Sequence, residues 1–151
     1  MSLASAFSLP KEEYVAGTLL KYGDIVVWDV TLTVATAATT ATATSDDAFH
    51  GRVAKVEIDP GAAMATSATL KGYEANTPLA TGTRDHFLNY TFPASEVELV
   101  IYPMFESSTL NTGSALTTKQ SQPYIVCDAL TIDLAAAVAA DSVRVRVYVE
   151  S

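Results

Sequence analysis

The chain is short of nearly every group that carries covalent chemistry. Its 151 residues include one cysteine, two histidines and seven glycines, none adjacent to another. A lone Cys127 excludes an internal disulfide framework, so stability has to come from a buried core. His50 and His86 leave little from which to build a nucleophile–histidine–carboxylate constellation, and no Gly-x-Ser-x-Gly elbow is present. Zinc wants Cys and His at close spacing, and calcium wants a loop of alternating carboxylates ending in Gly. Neither pattern occurs; Asp46-Asp47 is an acidic pair in a loop and nothing more. Isolated glycines build no phosphate cradle. These absences predict a chain that is not an enzyme and takes no cofactor or metal.

Positive charge is equally scarce. Nine Lys and Arg against seventeen Asp and Glu give a net charge of −8, and the cations are scattered singly apart from Arg144 and Arg146. Such a surface repels a phosphate backbone, so no nucleic-acid partner is expected. Long apolar runs are missing too. Leu134 to Ala140 is seven residues of mostly alanine, against the ~20 of a membrane span. No membrane partner is expected. No Lys or Arg precedes Lys11, so Met1 to Leu9 lacks the basic start of a secretory signal. The expectation is a soluble protein made in a cytoplasm.

What is present is alternation. Trp28, Val30, Leu32 and Val34 alternate with Asp29, Thr31 and Thr33, giving one dry and one wet face of a strand. Arg52, Ala54, Val56 and Ile58 share the next parity, ended by Pro60-Gly61. Leu88, Tyr90 and Phe92 follow, then Val97, Leu99 and Ile101, with a wider apolar set at Val100 and Tyr102. Tyr124, Val126, Leu130, Ile132 and Leu134 share a parity interrupted at Asp128. The cleanest stripe is Val143, Val145, Val147 and Val149 against Arg144, Arg146 and Tyr148. Weaker runs lie near Tyr14 to Leu20 and Thr69 to Tyr73, and turn residues such as Asn111-Thr112-Gly113 separate most runs. About eight strands predict an all-β chain, an antiparallel two-sheet sandwich of jelly-roll-like form, with a seven-stranded immunoglobulin-like arrangement as the competing topology. The expected organisation is an arm over 1–13 and a single sandwich domain over 14–151. Ala35 to Thr44, all alanine and threonine, reads as a strand end and surface loop. Ala135 to Ala140 reads as a connection with at most one helical turn.

The reactive residues have plain structural readings. His86 shares parity with Leu88 and Tyr90, His50 sits at a loop-to-strand transition, and Cys127 reads as a small buried hydrophobe inside a strand. Trp28 reads as core. The carboxylates fall on wet parities with no spacing that singles out a pair. Tyr148, on the face of Arg144 and Arg146, suits a contact surface, because Tyr and Arg are enriched where proteins meet. The candidate interface is therefore Arg144, Arg146 and Tyr148, with Thr39 and Thr40 of the Ala/Thr segment and the apolar Phe7 and Leu9 of the arm.

From Gly51 onward the chain resembles small structural proteins of tailed bacteriophages. The matching stretches are Gly51-Arg52-Val53-Ala54-Lys55-Val56-Glu57-Ile58-Asp59-Pro60-Gly61, Ala68-Thr69-Leu70-Lys71-Gly72-Tyr73-Glu74 and Val100-Ile101-Tyr102-Pro103. They continue through Pro123-Tyr124-Ile125-Val126 and Leu130-Thr131-Ile132-Asp133 to Val143-Arg144-Val145-Arg146-Val147-Tyr148-Val149. The resemblance spans about two thirds of the chain and rests on β-strand patterns. It implies a head decoration (cement) protein on the capsid surface of a virion, with the major capsid protein as partner and a homotrimer as its assembly. The N-terminal third does not share the pattern. That departure keeps open a phage tail or head–tail accessory domain that binds carbohydrate or a receptor.

Overall fold

Period-two alternation leaves each strand with one apolar face, and two sheets of such strands must meet to hide those faces from water. The computed structural model describes residues 17–65, 67–80, 84–94, 98–109 and 115–151; for strand residues within 105–121 it describes the backbone alone. The expected arm lies outside the described residues. Among the described residues, twelve strands make up the regular structure. The larger sheet takes Thr18–Tyr22 (β1), Ile25–Thr33 (β2), Ser142–Glu150 (β12), Gly51–Asp59 (β4), Leu99–Ile101 (β7) and Ile125–Val126 (β10). The smaller takes Ala41–Thr44 (β3), Leu130–Ala135 (β11), Thr69–Glu74 (β5) and Leu88–Thr91 (β6). Among the described residues, Met104–Thr109 (β8) and Ala115–Pro123 (β9) pair with each other as a separate two-stranded ribbon.

The pairing follows a single rule. β2 pairs with β12, β3 with β11, β4 with β7, and β5 with β6, all antiparallel. Within that set the first strand meets the last and each later strand meets its counterpart. A long hairpin rolled into two sheets, ordered β2-β12-β4-β7 and β3-β11-β5-β6, is the jelly roll. This order decides against the immunoglobulin-like alternative.

The core is made by the predicted stripes. Val143, Val145, Val147 and Val149 are all buried, as are Trp28, Val30 and Leu32 beside them. Each such side chain contributes about 1.5–3 kcal/mol on leaving water. Gly72 of β5 is an inward position without a side chain. The Phe87 ring fills its place, and a Cβ there would lie 2.5 Å from the ring.

Four local readings change. The strand over 52–58 contains a bulge: Tyr148 pairs with Lys55 but Val149 pairs with Val53, so Ala54 is an extra residue. Val53 therefore points inward, and Arg52 points out to an ion pair with Glu150. The Ala/Thr segment is not all loop, because Ala41–Thr44 is edge strand β3 with Ala43 buried and Thr42 and Thr44 exposed. The Thr44 and Thr131 hydroxyls are 2.9 Å apart across that pair. Ala136 to Ala140 is a non-helical link with positive φ at Ala136 and Ala140, and Asp141 Oδ2 accepts from the Val138 amide at 3.1 Å.

The fourth change lies at the edge of the larger sheet. β7 and β10 both pair with the same side of β4, at residues 56–58 and 51–52. Between them the Val53 amide donates to the Tyr124 carbonyl at 2.9 Å. They are two halves of one edge strand, and the β8–β9 ribbon is inserted where it divides.

Candidate interaction surface

β12 lies between β2 and β4, so its outward residues are flanked on both sides. Arg146 stands in one row with Asp29 and Glu57, Tyr148 in the next with Val27 and Lys55, and Arg144 with Thr31 and Asp59. Arg144 grips Asp29 with two of its nitrogens, Nε to Oδ1 at 2.9 Å and Nη2 to Oδ2 at 2.6 Å. Arg146 Nε adds a bond to Oδ2 at 3.1 Å. These donors, Arg144 first, hold the Asp29 carboxyl below its ordinary value against the opposing effect of burial. The Tyr148 hydroxyl donates to Glu57 Oε1 at 2.6 Å, and Lys55 Nζ sits 4.5 Å above the Tyr148 ring. Sequence parity thus places Arg144, Arg146 and Tyr148 together, as expected, but their charges and hydroxyl are already matched by neighbours on the same sheet. A shallow groove of about 330 Å³ runs beside them, between Glu57 and Asp59 on one side and Glu98 to Val100 on the other.

The remaining candidates are not gathered there. Thr39 and Thr40 are exposed in the link from β2 to β3, where the Thr39 carbonyl accepts from the Ala137 amide at 3.0 Å. Phe7 and Leu9 lie outside the described residues.

The surface that sequence reasoning missed is the divided edge. Val100, Tyr102, Met104 and Ile125 are 45%, 69%, 59% and 61% exposed. They are four of the seven large apolar side chains exposed among the described residues, and β7 and β10 form an open edge of the larger sheet there. Its signal in the sequence was the apolar excess at Val100 and Tyr102, which breaks the alternation of Leu99 and Ile101.

The potential nucleophile and bases have structural settings. Cys127 is exposed, not the buried residue that the sequence suggests. Its backbone amide donates to Glu74 Oε2 at 3.0 Å, and the same carboxylate pushes the thiol pKa up, away from the thiolate that a nucleophile needs. His86 meets the Tyr73 ring edge-on at 5.8 Å, and burial followed by Lys71 and Arg84 lowers its pKa. Burial also pushes Tyr124 up to about 12, with its hydroxyl donating to the Asp85 carbonyl at 3.0 Å. Among the described residues no three His, Cys, Asp or Glu side chains are placed to share a metal ion.

Neither a family model nor a curated protein matches the chain. A solved structure described as "CBM4 structure and function" is similar over 87% of this chain and 84% of that one, at 12% identity and a TM-score of 0.31. A likeness that low carries no argument about this chain.

Proposed function

We propose that this chain is a structural protein of a phage particle, a head decoration protein that works through protein–protein contacts with the major capsid protein and with copies of itself. The observation that carries the reading is the concentration of exposed apolar side chains at one open sheet edge, since such patches mark surfaces that another protein covers. The internal pairing of Arg144, Arg146 and Tyr148 adds support. A face whose charges are mutually satisfied offers few free donors to a polar ligand. The stretches that resemble phage structural proteins fall on β4, β5, β7, β10, β11 and β12. In this reading the protein sits on the capsid surface and catalyses nothing.

Co-sedimentation with capsids that lack the protein tests this. The expected result is saturable pelleting with the capsids at micromolar concentration. Absence of pelleting sinks the proposal. Retention on a glycan array that Tyr102→Ala abolishes would replace it with carbohydrate or receptor binding by a tail or head–tail domain.

A further inference from the structure

Among the described residues the larger sheet has two open edges on opposite sides, β1 at one end of its order and the divided β7/β10 strand at the other. Both carry exposed apolar side chains. Tyr22, 62% exposed on β1, joins Val100, Tyr102, Met104 and Ile125, so five of the seven such side chains lie on these two edges. Natural sheets protect open edges or pair them. Beside these apolar groups stand charges of opposite sign, exposed Lys21 on β1 and exposed Glu98 at the entrance to β7. We infer that the β1 edge of one copy docks against the divided β7/β10 edge of a second copy, head to tail. The inference rests on the packing role proposed above and names the surface and the partner for its self-association.

The geometry favours a second copy of this chain over an unrelated protein. A strand edge is satisfied by another strand edge, and this chain presents two of them on opposite sides of one sheet. Different patches that meet head to tail generate a ring when the rotation closes. Each contact would join Tyr22 of one copy to the four apolar side chains of the next. Covering these five removes on the order of 500 Å² from water, under half of the ~1,200 Å² at which specific interfaces begin. The paired backbones and the β8–β9 ribbon, which leaves from the same edge at Met104, add area to that contact.

Two variants test it, each altering exposed residues of one edge. The first carries Tyr102→Asp and Ile125→Asp, the second Lys21→Glu and Tyr22→Asp. The wild-type chain is expected to sediment as an assembly and each variant alone as a folded monomer. An equimolar mixture should give a one-to-one heterodimer and stop there, because each variant keeps the edge that the other lacks. A monomeric wild type overturns the inference, and so does a β1 variant that still assembles by itself, which would signal edge pairing with itself. Should a variant fail to fold, hydrogen exchange of the wild type decides. Protection at Thr18–Tyr22 and Leu99–Ile101 must rise with protein concentration, and flat protection overturns the proposal. Capsid pelleting of the monomeric variants separates the two ideas. Variants that still pellet show capsid binding standing apart from self-assembly. A wild-type ring that never pellets leaves the edge contact intact and removes the decoration role.

Discussion

Asp29 receives three hydrogen bonds from two guanidinium groups while its own side chain is 14% exposed. Removing its charge leaves two arginines side by side with a weaker acceptor. Asp29→Asn is expected to cost about 1 kcal/mol at neutral pH, because Arg144 and Arg146 are part-exposed and screened. Its pH dependence has a definite sign. The folded carboxyl lies below the ordinary 3.8, so its contribution is complete above that value and is lost as pH falls through the folded one. Urea unfolding of wild type and variant should therefore differ at neutral pH and converge in acid; a gap that persists in acid would assign the effect to packing instead. The strand face that carries Arg144, Arg146 and Tyr148 was legible from alternation alone. Their neutralisation was not, since Asp29 is 115 residues from Arg144 and only pairing order brings the two together.

At the scale of the element, the divided edge strand departs most from the sequence pattern. Residues 99–103 and 124–126 run along β4 as one strand would, with the β8–β9 ribbon leaving at Met104 and returning at Pro123. The sandwich should close without the ribbon. Replacing residues 104–123 with a single glycine is expected to preserve the β-sheet circular dichroism and lower stability by no more than about 2 kcal/mol, in the range of ordinary single substitutions. Loss of a cooperative urea transition would show that the ribbon is part of the folding unit. Alternation found seven of the eight jelly-roll strands, and β1 beside them, because each hides one face. It missed β8 and β9, whose Ser, Thr and Gln content gives no apolar stripe. It missed β3 because alanine and threonine differ too little in hydropathy for Ala41–Thr44 to read as a stripe. The β4 bulge was invisible for a different reason. An extra residue inverts parity, and Ala54 fits either face.

Across the whole molecule, fold class was legible and connectivity was not. Stripes say that a strand has a dry face without saying which strand lies beside it, and here the partners are as far apart as β2 and β12. That remoteness controls folding speed, because loop closure must be met before such contacts form. Trp28, the one tryptophan, is fully buried against β12 and Phe49 and reports that closure by fluorescence. Stopped-flow refolding should proceed on the order of milliseconds to seconds; a microsecond phase carrying the full amplitude would contradict the remote pairing. The same connectivity bears on how a ribosome makes the protein. β12 emerges after every other described strand, yet it belongs between β2 and β4 in the middle of the sheet. Until it emerges, β2 and β4 each have one edge without a partner, β2 held by β1 and β4 by β7 and β10 on the other side alone. A chain cut short before Ser142 is expected to expose those two edges as templates for pairing with other chains, so Val143 to Val149 close a gap in the sheet as well as completing its core.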